Sequence, residues 1–144
     1  SIMFLGQPGA GKTHLAIAIA NSLINQVIPV KYVVYYEMVR ELKAKQKSPE
    51  EFNEAVKPYC RVEVLLIDDL FKNAKRLGRV QETDLNVVFE IINHRYMRQM
   101  PTIISSEYKA GDLFEIDEAL GSRLIEMAKG NIITFDGVAL NHRL

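Results

Sequence analysis

Residues Gly6 to Thr13, with the sequence Gly-Gln-Pro-Gly-Ala-Gly-Lys-Thr, have the types and spacing needed to hold phosphate. They match the pattern G-x-x-x-x-G-K-[ST] at each fixed position. Glycines let backbone N–H groups approach phosphate oxygens, and a following helix adds unpaired donors at its N-terminus. We expect Lys12 to reach the β- and γ-phosphates of a nucleotide and the Thr13 hydroxyl to bind Mg²⁺. The predicted nucleotide-binding residues are Gly6, Gln7, Pro8, Gly9, Ala10, Gly11, Lys12 and Thr13.

The segments on either side of this loop support that interpretation. Ile2–Leu5 is an apolar run typical of a buried strand, and Lys12–Asn25 has the periodicity of a helix. A chance glycine turn followed by Lys and Thr is the alternative, and it does not explain the strand and the helix. The residues predicted to form the apolar face of this helix are Leu15, Ile17, Ala18, Ile19, Leu23 and Ile24.

A second signal is the buried run Val64–Ile67, which ends in Asp68 and Asp69. The carboxyl ends of parallel strands meet at the ligand crevice of such folds. We therefore expect Asp68 to hold Mg²⁺ through water and Asp69 to orient or deprotonate an attacking water. The alternative is that two acidic residues simply form a turn at the end of a strand.

A third signal is Thr102–Ser105, another apolar strand followed by the polar residues Ser106 and Glu107. If this strand lies between the first and third strands, its end faces the γ-phosphate, where Ser106 could sense phosphate and position water. The alternative is a polar cap at the end of a strand.

Several cations could act beyond the phosphate site. Arg123, on a later helix, could stabilise transition-state charge at a neighbouring subunit's nucleotide, although an isolated helical Arg is more often a surface residue. Two basic clusters could follow a single-stranded nucleic-acid backbone, although charge runs are usually solvated faces. The candidates for DNA binding are Lys72, Lys75, Arg76 and Arg79 in one cluster and Arg40 and Lys43 in the other.

Composition limits the class of protein. The 144 residues are 48% hydrophobic and carry a formal net charge of +0, so a nucleic-acid site must be a local basic patch. Cys60 is the only cysteine, which excludes an internal disulfide and suits a reducing cytoplasm. No apolar run approaches the length of a membrane span. We expect residues 1–144 to form one domain, excised from a longer protein that supplies an N-terminal segment.

The order of elements predicts an α/β fold. Five β runs alternate with helices, a pattern typical of a parallel sheet covered on both faces. The predicted strands are Ile2–Leu5, Val30–Tyr36, Val62–Ile67, Thr102–Ser105 and Ile132–Phe135. The predicted helices are Lys12–Asn25, Glu37–Lys45, Pro49–Val56, Thr83–Gln99, Ala110–Phe114 and Asp117–Ala128, with Leu70–Gln81 as a long connector.

The chain resembles the AAA+ ATPase domain of bacterial and phage replicative-helicase loaders, the DnaC/DnaI group. The resemblance covers nearly the whole chain. The motifs that carry it are Gly6–Thr13 with His14 and Leu15, Leu66–Leu70, Ile91–Tyr96, Pro101–Ser106, Ser122-Arg123 and Asn141–Leu144.

This resemblance implies ATP and Mg²⁺ as ligands, with His14 joining the nucleotide site, and a P-loop sheet of strand order 5-1-4-3-2 without a C-terminal lid. It implies Arg123 as a finger that acts on an adjacent subunit, hence a homo-oligomer on ATP binding. It also implies single-stranded DNA and a hexameric helicase as partners, the helicase gripped by the preceding segment. The family usually has Ser/Thr-Asn after the fourth strand, whereas Glu107 here cannot donate to phosphate.

Three other functions remain open at this stage. An IstB-type transposition helper ATPase shares nearly all of these motifs. A small-molecule P-loop kinase is compatible with the length, but the Asp68-Asp69 pair suits activation of water and no arginine-rich lid is evident. A scaffold that binds ATP without turnover is compatible with Glu107.

Overall fold

The computed structural model describes residues 1–9 and 11–136. Ala10 of the predicted phosphate loop and the motif Asn141–Leu144 lie outside the described residues. The strands are β1 (Ile2–Gly6), β2 (Val30–Val34), β3 (Val64–Asp68), β4 (Lys75–Arg76), β5 (Arg79–Val80), β6 (Thr102–Ser106) and β7 (Ile132–Phe135). The helices are α1 (Lys12–Asn25), α2 (Tyr35–Lys43), α3 (Pro49–Arg61), α4 (Glu82–Met97), α5 (Ala110–Ile116) and α6 (Glu118–Met127).

Five of the strands form one parallel sheet in the order β2-β3-β6-β1-β7. This is the predicted order 5-1-4-3-2, because β6 and β7 are the fourth and fifth predicted strands. The fold class is therefore confirmed. The register pairs Val34 with Asp68 and Leu5 with Ser106, so the carboxyl ends of β1, β3 and β6 lie at one edge of the sheet.

The central strands are buried on both faces because helices cover both sides of the sheet. All residues of β3 and β6 are buried. Successive side chains point to opposite faces: Leu65 and Ile67 belong to the larger core cluster, whereas Leu66 joins Phe4 in the smaller one. Two hydrophobic layers thus cover the sheet, one on each face, beneath the loops at its carboxyl edge.

Helix α1 has its predicted bounds, and its predicted apolar face is right only in part: Ile19 and Leu23 pack against the smaller core. The buried apolar residues of the helix are Ala16 and Ala20, while Leu15 and Ile24 are 43% and 51% exposed. Small side chains let a helix lie close to the sheet, and Ala16 belongs to the same core cluster as Phe4 and Leu66. The larger aliphatic residues then fall on the flanks of the contact.

The connector Leu70–Gln81 is more ordered than predicted, because it contains the antiparallel hairpin β4–β5. Arg76 pairs with Arg79, so the loop between the strands has two residues, Leu77 and Gly78. Both have positive φ, 52° and 77° respectively, as the tightest hairpin turns require. The signal was present in the sequence as Leu-Gly between short basic segments, but the strands are too short for alternation to reveal them.

Helix α4 buries a charge that the predicted inward face did not include. That face was Leu85, Val88, Ile91, Ile92 and Tyr96. The buried set is instead Val87, Val88, Ile91, Ile92 and Arg95, together with Asp84, while Leu85 and Tyr96 are half-buried.

Among the described residues, no helix combines the length and the apolar character needed to cross a bilayer.

The Arg95 guanidinium joins three parts of the chain at the amino end of the sheet. Its Nε donates to the Thr102 hydroxyl at 2.8 Å. Its other nitrogens donate to the carbonyl oxygens of Tyr59, Cys60, Val62, Glu63 and Pro101. The end of α3 and the starts of β3 and β6 are therefore held together by one side chain.

Candidate nucleotide-binding site

A cleft of about 600 Å³ opens at the carboxyl edge of the sheet. It lies where the segments that follow β1, β3 and β6 meet. Clefts at this edge are the usual ligand sites of open α/β sheets. The residues that line it are Pro8, Gly9, Gly11, Lys12, Thr13, His14, Asp68, Asp69, Lys72 and Glu107.

The loop after β1 requires glycine for steric reasons. Gly6 has φ 108°, and a Cβ at this position would lie 2.3 Å from the carbonyl oxygen of Phe135 on β7. The next residue, Gln7, donates its N–H to the same oxygen at 2.9 Å. Gly9 and Gly11 also have positive φ, 77° and 92°. The loop is therefore anchored to the neighbouring strand while its backbone turns towards the cleft.

Helix α1 starts at the cleft without a side-chain cap: Gly11 is its N-cap residue. The first N–H groups of a helix need acceptors and carry partial positive charge, which favours an anion such as phosphate. Lys12 is buried beside them, and its Nζ donates to the carbonyl oxygen of Gln7 at 2.7 Å. The ammonium is thus held against the loop at the position where phosphate binding requires a cation.

Asp68 is the centre of a hydrogen-bond network at the end of β3. The Thr13 hydroxyl donates to its Oδ1 at 2.9 Å, joining the loop to the third strand. The Ser105 hydroxyl donates to the same oxygen, and the Tyr32 hydroxyl donates to Oδ2 at 2.9 Å. The carboxylate is buried. Its orientation is therefore set by three hydroxyl groups from three different segments.

The oxygen atoms of Thr13 and Asp68 fit a magnesium ion. Mg²⁺ prefers oxygen ligands and is usually held by one or two carboxylates together with substrate phosphates and water. No group of three or more His, Cys, Asp or Glu side chains suited to a metal occurs in the part of the chain that the structure describes. Thr13 and Asp68 would supply one hydroxyl and one carboxylate oxygen to such an ion.

Asp69 lies in the cleft next to Asp68 and adopts a positive φ of 57°, a conformation that Asp tolerates better than most residues. Its backbone N–H donates to the Ser105 hydroxyl at 2.9 Å, which fixes the turn. Burial, and then the charge of Asp68, raises the pKa of Asp69. A raised pKa makes a carboxylate a better acceptor for a proton from water.

The prediction that Ser106 faces the γ-phosphate needs correction. The Ser106 hydroxyl is fully buried, donates to the carbonyl oxygen of Leu70 at 2.8 Å and accepts the Tyr108 N–H at 3.2 Å. It ties the end of β6 to the segment after β3. Ser105 reaches Asp68 instead, because adjacent residues of a strand point to opposite faces and the face could not be assigned from sequence.

Lys72 and Glu107 face each other across the mouth of the cleft. Lys72 Nζ lies 3.6 Å from Glu107 Oε1, and each side chain is about one-third exposed, at 36% and 33%. The sequence grouped Lys72 with a DNA-binding cluster. In the structure it belongs to the lining of the nucleotide cleft and also borders a second groove.

That second groove brings the two predicted basic clusters together. It has a volume of about 420 Å³, with Arg40 and Lys43 of α2 on one side and Lys72 and Arg76 on the other. Lys43 is bound to Asp84 at 2.7 Å, so its charge is already paired. The remaining cations, Lys75 and Arg79, are exposed on the hairpin β4–β5. The clusters are therefore neighbours on one surface.

Arg123 does not line the cleft of its own chain. Its Nε donates to Asn93 Oδ1 at 2.9 Å, and its guanidinium lies 5.1 Å from the Phe89 ring and 5.5 Å from the Tyr96 ring. Arg123 lies on α6 and packs against α4. Its action on the nucleotide of a neighbouring subunit stays a prediction.

Comparison with known sequences identifies the family. A profile of the family described as IstB-like ATP binding protein matches residues 1–128. The chain is 41% identical to YqaM and 39% identical to the phage-like element PBSX protein XkdC, both of Bacillus subtilis (strain 168), in each case over its full length. It spans about half of these relatives, 46% and 54% of their lengths. An insertion sequence IS5376 putative ATP-binding protein of Geobacillus stearothermophilus is 25% identical, and the chain covers 55% of it.

Comparison with solved structures confirms the predicted fold. The DnaC helicase loader superposes with a TM-score of 0.79 over 94% of this chain and 77% of that one, at 24% identity. DnaI superposes with a TM-score of 0.71 over 99% of this chain and 73% of that one, at 25% identity. Together with the family match, these findings confirm the resemblance on which the predicted ATP site depends.

Proposed function

This chain belongs to the family of IstB-like ATP-binding proteins, and we propose that it is the ATP-hydrolysing domain of a loader that delivers a replicative helicase to single-stranded DNA. The observation that carries the ATPase assignment is the contact of Thr13 with Asp68, at 2.9 Å, beside the buried Lys12. The likeness in fold to the DnaC helicase loader and to DnaI supports the assignment to helicase loaders.

The residues of the cleft divide the work of hydrolysis. The loop N–H groups and the N-terminus of α1 bind the phosphates. When nucleotide binds, the Lys12 ammonium donates to phosphate oxygens in place of the Gln7 carbonyl. Asp68, held by Thr13, Ser105 and Tyr32, keeps its carboxylate oriented for a magnesium site. Mg²⁺ held by Thr13 and Asp68 would neutralise part of the negative charge of the phosphates. Asp69 accepts the proton of the attacking water, a role that its raised pKa favours.

The proposed active form is an assembly. Arg123 of one subunit would stabilise charge at the nucleotide of the next, so hydrolysis would require ATP-dependent association. Residues 1–144 would be the AAA+ core of a longer protein whose N-terminal segment grips the hexameric helicase. The greater length of YqaM and XkdC supports only the first part of this proposal, that the protein is longer. Single-stranded DNA would bind the basic surface formed by the hairpin β4–β5 and α2.

The first experiment is ATP hydrolysis measured against protein concentration, with and without single-stranded DNA. We expect a rate per subunit that rises with concentration and rises further with DNA. Lys12→Ala is the inactive control, because it removes a charge-assisted contact to phosphate. A rate per subunit that is constant with concentration and indifferent to DNA would contradict an assembling, DNA-coupled ATPase.

Transposition is a second candidate function, favoured by the family itself and by the insertion-sequence relative of Geobacillus stearothermophilus. The chemistry of the cleft would be the same, and only the partner would differ. Co-purification of the full-length protein with a purified hexameric helicase, compared with a purified transposase of the same genome, separates the two. Retention of the transposase alone would favour the helper ATPase over the loader.

A further inference from the structure

The end of β6 presents no neutral donor to the cleft. Ser106 is buried and bonded to Leu70 and Tyr108, and Glu107, which does line the cleft, is a carboxylate. A carboxylate accepts hydrogen bonds but cannot donate one while it is ionised. A terminal phosphate in this cleft would therefore meet repulsion from Glu107 unless a cation intervenes.

Lys72 supplies that cation from the opposite side. Its Nζ lies 3.6 Å from Glu107 Oε1, longer than the usual range for a hydrogen bond of this kind. The pair is therefore held mainly by charge, and both side chains are exposed enough to change conformation. A phosphate oxygen, with a higher charge density and direct access to the cleft, can compete with Glu107 for the ammonium.

The backbone that carries Lys72 is firmly anchored. The Lys72 N–H donates to the Asp69 carbonyl at 3.0 Å, and the Leu70 N–H donates to the Ser105 carbonyl at 2.9 Å. Leu70 and Phe71 are both fully buried. The segment from Asp69 to Lys72 thus leaves β3 in a fixed turn that brings the base of the Lys72 side chain to the cleft. Only the side chain is free to move.

We propose that Lys72 is a sensor of the terminal phosphate: Glu107 holds its ammonium in the absence of that phosphate, and the ammonium passes to the γ-phosphate when ATP binds. This inference rests on the proposed function, because it needs the cleft to bind ATP. Lys12 recognises phosphate in either nucleotide, whereas Lys72 distinguishes ATP from ADP. The change in the Lys72–Glu107 pair is the local signal of the bound nucleotide.

The test is calorimetric binding of a non-hydrolysable ATP analogue and of ADP, with Mg²⁺, to the wild-type protein and to Lys72→Ala. We expect the variant to lose about tenfold or more in affinity for the analogue, the value of one charge-assisted hydrogen bond, while ADP affinity changes less than about twofold. Lys75→Ala is the matched control. Lys75 is on the hairpin, its ammonium lies over the Tyr108 ring, and it does not line the cleft.

Two double variants separate the effect of a hydrogen-bond donor at the end of β6 from the effect of removing the charges of Lys72 and Glu107. Lys72→Ala/Glu107→Ala removes both members of the pair, whereas Lys72→Ala/Glu107→Asn places an amide donor at the end of β6. We expect the Ala variant to recover only the part of the affinity for the ATP analogue that repulsion from Glu107 removes, and the Asn variant to recover more. Equal losses for the analogue and ADP, no loss at all in Lys72→Ala, or equal recovery by both double variants would overturn the proposal. A wild-type protein that binds neither nucleotide contradicts the proposed function instead.

Discussion

The Tyr32 hydroxyl on β2 donates a hydrogen bond to Asp68 Oδ2 at 2.9 Å. The Thr13 and Ser105 hydroxyls both donate to Oδ1, so the Tyr32 hydroxyl binds the other oxygen of the carboxylate. In the parallel register of β2 and β3, Tyr32 pairs with Leu66, and Leu66 precedes Asp68 by two residues. An edge-strand residue therefore completes the orientation of the carboxylate at the predicted magnesium site.

The first prediction concerns this hydroxyl. Tyr32→Phe should raise the Mg²⁺ concentration needed for half-maximal ATP binding, by roughly tenfold, because groups that orient a metal ligand typically have effects of this size. ATP affinity titrated against Mg²⁺ measures it, with Tyr36→Phe on the exposed face of α2 as the control. Partial burial, followed by the bond to Asp68, raises the pKa of Tyr32 to about 12.

Because that pKa lies above the usual value, the hydroxyl remains a donor up to strongly alkaline pH. The effect of Tyr32→Phe should therefore be the same at pH 7 and pH 9. An unchanged Mg²⁺ dependence would show that Thr13 and Ser105 suffice to orient Asp68.

The second prediction concerns stability. Arg95→Met should lower the free energy of unfolding by about 3 kcal/mol, because it leaves buried carbonyl groups without their charged donor. Urea denaturation measures it. The matched variant Arg98→Met, three residues further along at an exposed site, should change stability by less than about 0.5 kcal/mol. Equal small effects for both variants would mean that the carbonyls of α3 and β3 find other donors.

The third prediction concerns assembly. Arg123→Ala should leave ATP affinity unchanged, since the side chain does not line its own cleft, and should lower turnover at high protein concentration. Mixing this variant with Lys12→Ala gives a sharper readout. The Arg123→Ala subunits keep Lys12, and the Lys12→Ala subunits keep Arg123. An interface between the two kinds of subunit therefore contains both residues, so activity should return on mixing. Full activity of Arg123→Ala alone would rule out the role in trans.

The fourth prediction concerns DNA. Arg76→Ala/Arg79→Ala should weaken single-strand binding and reduce the slope of log affinity against log salt by about 1.4, the value for two phosphate contacts on a single strand. Fluorescence anisotropy at several salt concentrations measures the slope. Arg98→Ala/Lys129→Ala removes the same charge at two other exposed positions. If both double variants lower the slope equally, the hairpin has no special role.

The fifth prediction uses the single cysteine. Burial, and then the charge of Glu90, raises the pKa of the Cys60 thiol to about 11. The reactive thiolate is therefore scarcer at pH 8 than in an ordinary thiol, and the group is also shielded by the core. An aromatic disulfide reagent should react slowly in native buffer and rapidly in urea. Similar rates in both would show that the core around α3 opens readily.

Local patterns in the sequence predicted the parts of the site that are continuous in the chain. The loop Gly6–Thr13 and the strand ending in Asp68 were recognisable because their spacing is a property of one strand, one turn and one helix. The alternation of strands and helices likewise predicted the parallel sheet. The buried face of α1 was not predictable in the same way, because the close approach to the sheet selects Ala16 and Ala20 over larger residues.

The sequence alone therefore determined the kind of ligand, through residues whose geometry depends on neighbours a few positions away. The tertiary structure decided which distant side chains complete the site: Tyr32 and Ser105 on Asp68, Lys72 opposite Glu107, and Ser106 turned into the core. These relationships depend on strand register and on which face of the sheet each residue takes. A shift of one residue reverses that face, so only the folded arrangement settles it.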